Sequence, residues 1–147
     1  MNSYIILKKV LILTGIAALA YSQKQLGAED LGDFSANEMK CIKDHNINVS
    51  KVTLLLKQPY IPENDFEMND FMECTWKLDG LLHNNGSVAW QPFYFYVKGA
   101  YIDAVGMTEL ADFFANDTIN HCKDNQGKTP GQVAVLLLNC VIRKLYV

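Results

Sequence analysis

Four cysteines, three histidines and 16 acidic residues are the groups in this chain that could do chemistry. Cys41, Cys74, Cys122 and Cys140 form no Cys-x-x-Cys pair and no Cys/His cluster of zinc-site spacing. His121 stands beside Cys122, and the two cannot make a metal site alone. Gly-x-Ser-x-Gly, His-Glu-x-x-His and P-loop patterns are all absent. The acid pairs Glu63/Asp65 and Asp112/Asp117 sit in hydrophilic surroundings and read as solvated faces. The chain is therefore not expected to be an enzyme, and no cofactor or metal is called for. An even cysteine count instead points to two disulfides, provided the chain reaches an oxidising compartment.

The N-terminus carries that condition. Lys8 and Lys9 precede an uncharged apolar run of 11 residues, Val10 to Ala20, too short to span a bilayer. Ala20-Tyr21-Ser22 places small residues where a signal peptidase needs them. Residues 1–22 are thus expected to be a signal peptide and 23–147 a single secreted, extracellular domain, with Gln23 first. Stable membrane insertion is not expected. Removing the signal takes away two lysines and no acids, so 11 basic residues face 16 acidic ones and the net charge falls from −3 to −5. Nucleic acid and anionic membranes select for basic patches, so neither is expected as a partner. Sequons at Asn48, Asn85 and Asn116 are compatible with export.

The elements that position the cysteines are helical in period nearly throughout. Ser35 and Glu38 form a capping-box pattern ahead of Met39, Cys41 and Ile42. Asn46-Ile47-Asn48 breaks that helix, and Ser50 is expected to cap a short one over Val52 to Leu56, ended by Pro59 and Pro62. A further helix starts at Asn64 or Asp65 and carries Cys74. The Asn85-Gly86 turn could close a β-hairpin, but neither flank alternates, and the hairpin is rejected. The aromatic stretch Trp90 to Tyr101 is read as helix, starting after Pro92. Thr108 to Cys122 follows, with Met107, Leu110, Ala111, Phe114, Thr118 and Cys122 on one face. Thr129, Pro130 and Gln132 open the last helix, whose Val133–Leu138 run is apolar all round.

Spacing alone leaves three disulfide connectivities open. Cys122 and Cys140 lie on neighbouring helices joined by a short loop at 125–128, an antiparallel arrangement that can bring the sulfurs together. This favours Cys122–Cys140 and, with it, Cys41–Cys74, each closure being worth about 3–4 kcal/mol in the loop-entropy picture.

With 32 residues between Cys41 and Cys74 and 17 between Cys122 and Cys140, the chain resembles the insect odorant-binding proteins of the pheromone- and general-odorant-binding family. It looks like their four-cysteine, Minus-C form. The stretch Cys41 to Ser50 is similar to the family's first-cysteine helix and turn. Cys74 through Leu81-Leu82, Asn85-Gly86 and Val88 is similar to the segment after its third cysteine. Asp70 and Gly131 stand where the six-cysteine family has a further bridge, which suggests a looser scaffold that cysteines at 70 and 131 would tighten. The 47 residues between Cys74 and Cys122 are more than is usual for the family.

The resemblance implies an all-α, compact bundle of about six helices around an apolar cavity, carrying odorants, pheromones or other small lipophilic molecules. The expected lining is Met68, Met72, Trp76, Phe93, Tyr96, Leu110, Phe114, Val133, Leu136 and Leu137. Tyr146 joins them from an apolar tail that, in this family, can fold back as a lid. A salivary, venom or reproductive-tract scavenger of the same fold is the alternative role, as is a secreted interaction protein with a filled core. An amine ligand would need a carboxylate in the pocket, for which Asp70 is the candidate. A homodimer is the protein partnership left open. His45, His83 and His121 read as surface residues, with pH-dependent release as the alternative.

Overall fold

The computed structural model describes residues 34–106 and 108–146. The expected signal peptide 1–22, the start at Gln23, Met107 and Val147 lie outside the described residues. Among the described residues there are six helices: α1 Ala36–Asp44, α2 Val49–Leu56, α3 Phe66–Leu78, α4 Trp90–Val105, α5 Ala111–Cys122 and α6 Pro130–Tyr146. No strand occurs among the described residues. The rejected hairpin survives as a single antiparallel bridge, Leu82 to Val88, around Gly86 at φ 86°.

Local chemistry starts most of these helices. The Ser35 hydroxyl accepts from Glu38 N–H, and the Glu38 carboxylate accepts from Ser35 N–H at 2.5 Å, completing the expected capping box. Asn48, and not Ser50, caps α2, because its side chain reaches Lys51 N–H and the helix begins at Val49. Asp65 caps α3 through Met68 N–H. α4 begins at Trp90, ahead of Pro92. A proline in the first turn removes a donor that has no intrahelical partner there. α5 starts at Ala111 instead of Thr108. Thr129 caps α6 through Gln132 N–H, while the Gln132 side chain accepts from Lys128 N–H, one residue earlier than a capping box requires.

α6 is the central element. Gly131, Ala134, Val135, Leu137, Leu138, Val141 and Ile142 are buried on it, with Val133 and Leu136 half-buried. α3 lies against it over the most extensive helix contact of the fold, α5 and α4 also touch it, and α1 packs on the far side of α3. Cys41–Cys74 ties α1 to α3 and Cys122–Cys140 ties α5 to α6, the pairing expected. The Lys144–Asp117 ion pair and the second disulfide run in opposite chain directions, so α5 and α6 are antiparallel. Asn139, buried on α6, accepts from Ile61 N–H at 2.9 Å and donates to Ile61 C=O at 2.8 Å, fastening the 57–65 connection to the core.

Gly131 shows how close α3 and α6 come. A Cβ there would sit 2.6 Å from the Asn69 carbonyl carbon and closer still to its oxygen. The two helices touch backbone to backbone, so a cysteine at 131 fits only if α3 and α6 move apart. Gly131→Ala is expected to destabilise the protein by about 2–3 kcal/mol through forced separation of α3 and α6, read as a lower urea midpoint.

Lys51 joins α2 to α3 through Asp65 at 2.8 Å and Glu67 at 3.0 Å. Burial pushes the Asp65 carboxyl up, but hydrogen bonds from Lys51 and from Met68 N–H outweigh it and hold the group below its ordinary value of 3.8. Glu67 is held below 4.5 by Asn48 N–H and by Lys51. Depressed carboxyls contribute stability that is present above their unfolded values and lost as pH falls through the folded ones. Urea midpoints of the wild type and Lys51→Met should therefore differ at pH 6 and converge below about pH 3.

Candidate functional site

The expected lining residues fall into three groups. Met68, Met72 and Trp76 come from the inner face of α3, Phe93 and Tyr96 from α4 and Leu137 from α6, and all six are buried. Phe114, Val133 and Leu136 are half-buried. Leu110 and Tyr146 lie at the surface, 44% and 41% exposed. The lid expectation is corrected, because the segment after Cys140 continues α6 as far as Tyr146 and does not fold back.

The first group is brought together by aromatic contacts. The Trp76 ring lies 5.5 Å from Phe93 and 6.1 Å from Tyr96, and Phe93 stacks on Tyr96 at 6.0 Å. Trp90, which the sequence reading passed over, meets Phe93 edge-on at 6.0 Å. Four rings from the C-terminal end of α3 and the N-terminal half of α4 thus form one cluster, with the α3 methionines fully buried on the same helix. Such surfaces bind apolar groups through area, and thioethers adapt their shape to what they meet.

One end of the cluster is polar. The Tyr96 hydroxyl is buried and has no hydrogen-bond partner among the described residues. Burial first, and then the negative charges of Asp79 and Glu38, push this phenol well above its ordinary 10, so it carries its proton throughout the physiological range. Glu38 is itself only 2% exposed. One carboxylate oxygen is used in the capping box, and the other is buried without a partner. In the sequence Glu38 has only the signature of a capping residue. Its burial follows from the docking of α1 on α3, where Asn37 donates to Asp79 at 2.7 Å. Asp70, expected as the pocket acid, is exposed, and borders a surface cleft of about 400 Å³ with His45, Glu73 and Lys77.

Phe114 belongs elsewhere. It stacks on Tyr101 at 5.4 Å and borders a cleft of about 510 Å³ with Asp117, His121, Arg143 and Lys144, beside the Cys122–Cys140 bridge. The Tyr101 hydroxyl is satisfied there by Thr118 at 2.6 Å. Among the described residues no three His, Cys, Asp or Glu side chains gather as a metal site, and no helix is long and apolar enough to cross a membrane.

Six helices, two disulfides in this pairing and a buried aromatic cluster set the ground for comparison. The profile of the PBP/GOBP family matches residues 23–144. The chain belongs to that family. No curated protein and no solved structure matches it significantly. PBP/GOBP proteins are secreted carriers of small hydrophobic molecules, and the two disulfides of this chain fit an extracellular location. In this PBP/GOBP chain the unpartnered Tyr96 hydroxyl is a local cost to folding. Tyr96→Phe is expected to raise the stability of the ligand-free protein by about 1 kcal/mol, read as a higher urea midpoint with unchanged slope.

Proposed function

We propose that this chain is a secreted carrier that takes a small lipophilic molecule into its helical core, and that it is a four-cysteine, Minus-C odorant-binding protein. The buried cluster of Trp76, Phe93 and Tyr96, flanked by Met68, Met72 and Leu137, carries the reading. It brings together large apolar and polarisable side chains and one unsatisfied polar group, the usual composition of a small-molecule site. The family match begins at residue 23, which supports cleavage of residues 1–22 and a mature start at Gln23. The two disulfides suit an oxidising compartment.

Burying about 300 Å² of apolar ligand surface at about 25 cal/mol per Å² gives roughly 7–8 kcal/mol, a micromolar dissociation constant before ordering costs are counted. The mature protein, residues 23–147, should therefore bind the fluorescent apolar probe N-phenyl-1-naphthylamine saturably at micromolar concentration. Tryptophan emission should fall as the probe occupies the cluster, and lipophilic competitors should restore it. Absence of probe binding from pH 5 to pH 8 would leave a secreted interaction protein with a filled core and reject the carrier.

A further inference from the structure

Three asparagines lie in sequons, and the fold treats them differently. Asn85 and Ser87 are both exposed, in the turn between α3 and α4 that the Leu82–Val88 bridge closes. Gly86 stands between them at φ 86°, a conformation that favours glycine, and turns the chain back on itself. Ser87 then donates twice to Asn85 Oδ1, from its N–H at 3.0 Å and from its hydroxyl at 2.7 Å. The Asn85 Nδ2 makes no hydrogen bond among the described residues. The other two sequons are wound into helices. Asn48 caps α2 through Lys51 N–H, its own N–H is held by Glu67, and Ser50 already belongs to the helix. Asn116 on α5 donates from Nδ2 to Asp112 C=O at 2.8 Å. Its sequon partner Thr118 is fully buried, with its hydroxyl bonded to Tyr101 at 2.6 Å.

We propose that Asn85 is an N-glycosylation site and that Asn48 and Asn116 carry no glycan. The assignment rests on the export part of the carrier reading. N-linked addition uses an asparagine amide with a hydroxyl two positions on, presented in a surface turn. The co-substrate is an oligosaccharide joined to a lipid through pyrophosphate. Asn85 Nδ2 attacks the anomeric carbon of the first sugar and a C–N bond forms. The C–O bond to the pyrophosphate breaks, its electron pair leaves with the phosphate oxygen, and one Nδ2 proton passes to the transferase. The acceptor turn is made by contacts within residues 85–87, so it is available before the helices pack, and it stays exposed afterwards. Asn48 and Asn116 are presented in such a turn only if α2 or α5 unwinds, and for Asn116 the buried Tyr101–Thr118 bond must break as well.

Expression of the full chain, residues 1–147, in insect cells tests this, with medium and cells analysed separately. The intact mass of the secreted protein should exceed that of its polypeptide and fall back to it on enzymatic deglycosylation. Tandem mass spectra of peptides with the sugar still attached should place it on Asn85 alone. Asn85→Gln and Ser87→Ala should each abolish the mass increment, and Ser87→Thr, which keeps the hydroxyl, should retain it. Asn48→Gln and Asn116→Gln should leave it unchanged. Protein that reaches the medium without sugar overturns the assignment while export stands. Sugar on Asn48 or Asn116 overturns the selection argued from the turn, and so does an increment that survives in Ser87→Ala. Protein found only inside the cells and without sugar rejects export, and the assignment with it.

Discussion

The carbonyl of Asn69 on α3 faces Gly131 on α6, a residue without a side chain, and the two helices meet there at backbone distance. That approach sets the spacing of the two long helices that form the middle of the molecule. Once α3 lies this close, its inner face presents Met68, Phe71, Met72 and Trp76 to the core, and the fully buried surface of α6 covers much of them. α1 then docks on the free side of α3, and α4 closes over Trp76 with Phe93 and Tyr96. The side-chain amides reinforce the arrangement. Asn69 and Gln132 both donate to Glu63 C=O, and Asn139 clamps Ile61, so the connection ahead of α3 is sewn to both partners.

This packing accounts for the position of the polar end of the cluster. Glu38 is at the third position of α1, where its charge suits the helix N-terminus and completes the capping box. The same residue becomes buried because α1 is held down by Cys41–Cys74 and by the Asn37–Asp79 bond. A single side chain therefore serves the local helix start with one oxygen and faces the interior with the other.

What was legible in the sequence was mostly what is set within one turn of chain. The Ser35–Glu38 box, a helix start at Asn64 or Asp65, the Thr129 cap and the helical period of α3 and α6 are local matters, and the structure has them. Near neighbours of equal chemistry were harder. Asn48 takes the cap expected of Ser50, and Trp90 starts a helix expected to begin beyond Pro92, because both choices depend on where the preceding turn ends. The cysteine pairing was readable because it asked only which helices are adjacent. Burial was readable for the continuous apolar face of α3. It was not for Leu110 or Tyr146, which sit at helix ends whose exposure is decided by packing distant in sequence. The same holds for Asn139, a polar residue in an apolar run whose partner lies 78 positions away. Gly131 was expected where the six-cysteine pattern has a cysteine, and only the three-dimensional contact shows the backbone of α3 filling that space.

Both disulfides bind helices in pairs, α1 to α3 and α5 to α6, so α2 and α4 carry no covalent tie. The aromatic cluster consequently straddles two kinds of wall. Trp76 stands on a cross-linked helix, whereas Trp90, Phe93 and Tyr96 stand on a helix held by packing, by the Tyr101–Thr118 bond and by Asp112 with Lys98 and Tyr94. Displacing α4 would strain no sulfur bridge, but it would uncover Phe93, Val97, Ala100 and Tyr101, which are almost fully buried. α4 ends at Gly106, whose left-handed conformation stops the helix. Three of the four rings of the cluster thus stand on a helix outside the covalent frame.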